Sequence, residues 1–232
     1  MHTTSSDYNR ILRLYHFKQP KLIINSVEYT DEKIHSVDVD GKVFSENIPM
    51  VGCCVSRKFD SVIDIPTVSI PKMAKIELFV RLVNEADHTD VSEWIPKGTY
   101  YIDTRKQDDD AETLTITAYD AMMKAEQDFD IDLLNWPATD IDVIEASAEA
   151  LGISVRSDTY DIINKGYQIN APTNYSVREV WGYIAAMYAG NFIVDDNEEL
   201  QIIRLNDLPT ETNLLITEFG EHIKFGGDRI LV

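Results

Sequence analysis

The side chains best suited to acid–base, nucleophilic or metal chemistry are five histidines and two cysteines, set among 40 Asp and Glu. The histidines, His2, His16, His35, His88 and His222, are scattered. No two stand in the H-x-H or H-E-x-x-H spacing that brings two imidazoles to one metal ion. They read as surface or packed residues. Cys53 and Cys54 are neighbours. On a strand they would point to opposite faces, so they read as two small, mostly buried residues rather than a vicinal disulfide. Asp128, Asp130 and Asp132 open like a calcium-binding loop. Such a loop needs glycine at its sixth position and a bidentate glutamate at its twelfth. Leu133 and Thr139 stand there instead, and the run reads as a solvated linker. Asp108, Asp109 and Asp110 read as a charged hairpin tip that discourages edge pairing. Neither a G-x-S-x-G elbow nor a G-x-x-x-x-G-K-[ST] phosphate loop occurs. The expectation is no catalytic residue, no cofactor-binding residue, no metal ligand and no cofactor. Trp181 reads as core, whereas Trp94 and Trp136, each near a proline, read equally as interface anchors.

The elements that would carry these residues change character at Tyr119. Before it the chain reads as strands: 21–29, bounded by Pro20; 34–39, with an Asp40-Gly41 turn into 42–44; 52–59; an extended piece between Ile65 and Pro71; 75–83, with Ile76, Leu78, Val80 and Leu82 on one face; and 94–103. A polar loop, 105–112, then leads into 112–119, which turns Leu114, Ile116 and Ala118 inward. After Tyr119 the pattern predicts a short helix over 120–126 with Asp120 as its cap. It also predicts a helix over 139–150 between a Thr139/Asp142 cap and Gly152, and a brief strand at 153–155. A helix from the Ser176–Glu179 capping box to about Ala189 follows, then a hairpin of 191–194 with 199–205. Residues 214–232 return to strand-like sequence with a Gly226-Gly227 turn, and the apolar end reads as a strand rejoining the first unit or as a cut through a longer protein.

The expected fold class is therefore α+β: a β-barrel or sandwich unit followed by a small α/β domain. The domains are 1–118, 119–205, and a segment 206–232 that returns to or begins further strands of the first kind. A hydrophobic fraction of 44% and a charged fraction of 26% are those of a folded protein. The net charge of −19 opposes phosphate backbones and anionic lipid. No apolar run has the length of a membrane span, and the polar N-terminus reads as lacking a secretory signal. Two adjacent cysteines argue for folding inside the cell.

Several segments, taken in order, carry a family resemblance. They are 70–80 (IPKMAKIELFV), 92–103 (SEWIPKGTYYID), 115–126 (TITAYDAMMKAE), 135–138 (NWPA) and 177–191 (VREVWGYIAAMYAGN). This series resembles the N-terminal, hub-forming part of tail-tip or baseplate proteins encoded by phages and prophages of Gram-positive bacteria. The resemblance implies a virion structural protein, a homotrimeric ring at the distal end of the tail tube. Its β-barrel tube domains and appended α/β domains would contact distal tail, tail-tube and tape-measure proteins. DNA would pass without specific binding through an acidic lumen. The protein would reside in the virion tail, assembled in the host cytoplasm, and would be no enzyme. A complete second barrel does not fit in this length, a departure from the family pattern. A binding module for host cell-wall carbohydrate is the alternative, favoured if aromatics line a groove. A tail-associated peptidase or muramidase is a third reading, and no motif supports it.

Overall fold

The computed structural model describes residues 4–43, 50–66 and 69–204, and two short strands at 224–225 and 228–229. A short helix, α1 (Ser6–Ile11), is capped by Ser5, whose hydroxyl accepts from the Tyr8 amide. There follow β1 (His16–Ile24), β2 (Val27–Tyr29), a 3₁₀ turn (Asp31–Lys33), β3 (Ile34–Asp40), β4 (Cys54–Val55), β5 (Lys58–Asp64), β6 (Lys75–Asn84), β7 (Ile95–Asp108) and β8 (Thr113–Tyr119). All but β4 form one sheet of seven strands in the order β2-β1-β6-β7-β8-β5-β3. Every pairing in it is antiparallel. Strand alternation puts one apolar face inside. Leu22 and Ile24 of β1 share a core with Ile76 and Leu78 of β6, Tyr100 and Ile102 of β7, Ile116 of β8, and Phe59 and Ile63 of β5. Strands from both ends of the order meet in that core, so the sheet is strongly curled. The Phe59 and Tyr100 rings stack at 5.0 Å inside it.

The second part begins with 3₁₀ turns at Ala121–Glu126 and Ile131–Leu133. It continues with β9 (Ala138–Thr139), α2 (Asp140–Leu151), β10 (Ser154–Val155), α3 (Ser157–Ile162), β11 (Gln168–Ile169), α4 (Val177–Met187), β12 (Gly190–Val194) and β13 (Glu199–Arg204). Both longer helices start with a capping box, Thr139 with Asp142 and Ser176 with Glu179, and Gly152 ends α2 in the left-handed region at φ 66°. Their apolar stripes close on Phe192, Leu200 and Ile202 of the β12–β13 hairpin. Trp181 is fully buried there, and its indole N–H donates to the Ser147 hydroxyl at 2.8 Å. That hydroxyl in turn donates to the Val143 carbonyl at 2.6 Å, so no polar atom of this pair is left unmatched. Near the C-terminus, β14 (Lys224–Phe225) pairs antiparallel with β15 (Asp228–Arg229), and the expected turn at Gly226 and Gly227 lies outside the described residues. The rest of the expected strands in 206–232 lies outside the described residues.

The α+β class holds, with mostly antiparallel strands and few helices, and five sequence expectations need correction. Among the described residues the curled sheet does not close into a barrel: β3 ends the strand order, and β1 pairs on its outer side only at Leu22, Ile23 and Ile24. The single strand expected over 21–29 begins at His16 instead, because β6 pairs with it through Pro20, and it turns back at Asn25 and Ser26 into the β1–β2 hairpin. Asp40 and Gly41 do not turn a hairpin into 42–44. β3 pairs with β5, the chain between them leaves to form β4, and Phe44 lies outside the described residues. The single strand expected over 52–59 is split at Arg57. β4 pairs in parallel with β12 in a second sheet ordered β10-β13-β12-β4, while β5 joins the first. Finally, β7 runs through the expected loop to Asp108. That arm is exposed on both faces, so no apolar alternation announces it, and its backbone pairing with β8 alone makes it a strand.

β4 reaches the second sheet through close backbone contact. A side chain at Gly182 would place its Cβ 2.7 Å from the Gly52 carbonyl oxygen. Gly52 itself sits at φ +81°, where its own Cβ would come within 2.9 Å of the Ala186 Cβ. Gly182→Leu is therefore expected to destabilise the fold by about 1–3 kcal/mol through overpacking. Thermal melting should show a loss of several degrees, and an unchanged midpoint would mean that α4 and the Gly52 segment do not touch so closely.

Candidate functional site

The densest polar constellation is where the β12–β13 turn enters the seven-stranded sheet. The turn, 195–198, offers three carboxylates, and each meets a cation. The Arg57 guanidinium contacts Asp196 and donates to the Asp195 carbonyl at 2.9 Å. Arg156 lies 3.4 Å from the Asp195 carboxylate. Lys75 of β6 lies 3.0 Å from Glu198. Tyr101 of β7 donates its hydroxyl to Glu198 at 2.6 Å and accepts from Lys124 at 3.0 Å. The same Asp195 carboxylate accepts from the Asn197 and Glu199 amides, which fixes the turn.

Asp120 anchors the other side of Arg57. Its side chain is fully buried. It accepts from the Arg57 amide at 2.9 Å and from the Met122 amide at 3.1 Å, and so caps the 3₁₀ turn after β8. The Arg57 guanidinium also lies over the Tyr100 ring, 5.8 Å from its centre. At Arg57 burial works to lower the pKa, yet Tyr100, Asp196 and Asp120 outweigh it and hold the group above its ordinary value. At Asp120 burial wins and pushes the carboxyl up to about 6, against the pull of Arg57 and the Met122 amide. Burial, then Glu198, raises Tyr101. Burial lowers Lys124. These groups shift because they are enclosed between two packed units, and their geometry is that of a clamp.

The residues singled out in the sequence are not brought together. His16 meets the Leu14 carbonyl at 2.8 Å, His35 meets Asp64 at 2.7 Å, and His88 packs edge-on against Phe17. His2 and His222 lie outside the described residues. Burial pushes the Cys54 thiol up to about 12, and it points at the Arg178 carbonyl. The Cys53 amide donates to Asn191. Asp130 caps a 3₁₀ turn by accepting from the Asp132 amide. Among the described residues no three His, Cys, Asp or Glu side chains gather as a metal site would require. Trp136 donates to the Ile131 carbonyl at 2.7 Å, and Trp94 is covered by the Lys21 and Arg81 cations at 4.7 and 4.5 Å from its ring centre. The clamp was missed because its members are far apart in sequence and of common types. The one signal was the acidic turn at 195–197 beside a hairpin.

Two of the concave surfaces have substantial apolar lining. An apolar groove of about 380 Å³ runs along the end of α4 between Pro172, Tyr175, Tyr183 and Met187. Its two tyrosine rings meet edge to face at 5.6 Å. A larger cleft of about 750 Å³ opens between β1 and β3 over Leu78, Val80 and Leu82.

No family model matches this chain, and no curated protein matches it. Solved structures do. One is the 43 kDa tail protein of prophage MuSo2 from Shewanella oneidensis, at 16% identity and a TM-score of 0.58, over 86% of this chain and 59% of that one. A tail protein from Neisseria meningitidis MC58 aligns at 13% identity and a TM-score of 0.54, over 80% of this chain and 51% of that one. The prophage tail protein gp18 from Listeria monocytogenes aligns at 10% identity and a TM-score of 0.52, over 86% of this chain and 55% of that one. The likeness is one of fold, and this chain spans between half and three-fifths of each of those proteins. Among the described residues no helix is long and apolar enough to cross a membrane.

Two outcomes follow from the clamp. Asp120→Ala leaves Arg57 enclosed without its buried partner and is expected to cost about 3–5 kcal/mol. Urea denaturation measures this, and a loss under 1 kcal/mol would show that Asp196 alone satisfies the guanidinium. The second outcome concerns pH. The native carboxyl of Asp120 titrates near 6 and the unfolded one near its ordinary 3.8. Between those values the native state holds more protons, so this residue's contribution is complete below about pH 4 and is lost as pH rises through 6. The unfolding free energy of the parent should therefore fall, relative to that of Asp120→Asn, by about 2 kcal/mol from pH 4 to pH 7.5. Parallel pH profiles for the two proteins would contradict the assignment.

Proposed function

We propose that this chain is a structural component of a phage or prophage tail, and within the tail a tip or baseplate hub subunit. The observation that carries the reading is the fold. Over four-fifths or more of its described architecture aligns with three tail proteins from different bacteria. The ordered segments resembling hub proteins support the finer assignment. On this reading the curled sheet is the tube-forming unit, residues 1–118. The α/β domain, 119–205, stands outside it, and 206–232 returns to tube-domain strands. The subunits form a homotrimer that meets distal tail, tail-tube and tape-measure proteins in a virion assembled in the host cytoplasm.

The charge suits such a wall. The chain carries −19, and the β7–β8 tip presents Asp108, Asp109, Asp110 and Glu112 to solvent. Carboxylates on a conduit repel phosphate and release no counterions to it, so DNA slides past without specific binding. The alternative reading, recognition of cell-wall carbohydrate, draws on the exposed Tyr175 and Tyr183 of the α4 groove. That groove is walled by apolar side chains, whereas a sugar site also needs several convergent hydrogen-bonding groups.

Immunogold labelling of induced particles tests the assignment. Label confined to the distal end of the tail is expected. Particles free of label, or labelled along the tube or on the capsid, would overturn the hub position, and saturable glycan-array binding by the isolated chain would favour the alternative.

A further inference from the structure

The cleft between β1 and β3 has the parts of a strand-binding groove. Its walls are two sheet edges. β3 is the last strand in the order, and β1 over 16–21 pairs only with β6, so among the described residues both present unpaired backbone groups. The Asp31–Lys33 turn ties the two edges at one end, where Gln19 donates to Asp31 at 3.3 Å. From there β1 and β3 both border the same cleft. Its floor is apolar: Leu78, Val80 and Leu82 of β6 with Ile95 of β7. The inner side chains of β3, Val37 and Val39, line it too, and Val39 is left exposed. An edge with exposed apolar side chains over an apolar floor is the arrangement that accepts an added strand.

Charge says which strand. Arg57 and His35 border the cleft but are engaged with Asp120, Asp196 and Asp64. Lys18 and Lys97 border it as well, and neither makes an ion pair among the described residues. In a chain of net charge −19, two unpaired cations over an apolar floor complement carboxylates, and of the two carboxylates on the lining Asp31 accepts from Gln19 and Asp196 contacts Arg57. We propose that the β1–β3 cleft docks one extended segment of another polypeptide, apolar at alternate positions and acidic between them, by main-chain pairing with the open edges. β3 has seven residues, so the recognised segment is about seven residues, or roughly 23 Å, long.

The full chain and a dye-labelled peptide of about ten residues, alternating glutamate with valine, provide the test. Fluorescence anisotropy should show saturable binding. Binding should be absent when two valines are replaced by proline, which removes main-chain donors, and at least tenfold weaker when lysine replaces glutamate. Lys18→Glu with Lys97→Glu should lower affinity for the acidic peptide at least tenfold without moving the melting midpoint. Hydrogen exchange should slow at amides within 16–21 and 34–40 on binding. No saturable binding, equal affinity for the lysine peptide, indifference to proline, or protection confined to other segments would each overturn the proposal. It stands apart from the tail assignment, because peptide affinity of the isolated chain and position in a particle are read by different measurements.

Discussion

A half-buried guanidinium held by several partners organises this junction. Arg57 sits at the break between β4 and β5, so its backbone links the two sheets. Its side chain contacts Asp196 on the β12–β13 turn, and its amide is held by Asp120 at the start of the second unit. A charge removed from water needs partners that are fixed in place. Here those partners come from three separate stretches of chain. The position of the α/β unit against the sheet is thereby specified by hydrogen-bond geometry, where apolar contact alone would tolerate sliding.

That constraint explains other features of the junction. The turn that meets Arg57 must present carboxylates forward and still close a hairpin, and it does so with Glu198 in the left-handed region at φ 62°. Such a conformation is uncommon for a residue with a side chain. It persists because Lys75, Tyr101 and the two amides on Asp195 hold the turn from both sides. At the other end of β12, Asn191 performs the same service for the chain between β3 and β4. It is buried, its side-chain amide donates to the carbonyls of Val43 and Met50, and its oxygen accepts from Cys53. Polar side chains with several matched partners, rather than surface ion pairs, carry the specificity of this interface.

What could be read in the sequence divides along the same line. Local signals succeeded. The Thr139/Asp142 and Ser176/Glu179 boxes start α2 and α4 where their caps stand, Gly152 ends α2, and the inward triplet Leu114, Ile116 and Ala118 is buried as alternation requires. These depend on residues within one turn or one strand. Non-local consequences were illegible. Nothing in Cys54-Val55 distinguishes a strand that joins β12 from one that continues into β5, since the choice is made by Gly182 leaving room and by Asn191 offering partners some 130 residues later in the chain. The outer arm of β7 escaped for the opposite reason. With both faces in solvent it carries no period, and only its partner strand defines it.

The conspicuous chemistry of the sequence is engaged in holding this shape. His35 is tied to Asp64 and Cys54 is enclosed. Asp130 caps a turn, and Tyr101 bridges Glu198 and Lys124. Beside these engaged groups, the open sheet edges and the net charge of −19 are the features that bear on contact with other molecules. A curled sheet that among the described residues stops short of closure keeps hydrogen-bonding capacity in reserve, and a net charge of −19 sets which chains and polymers approach it.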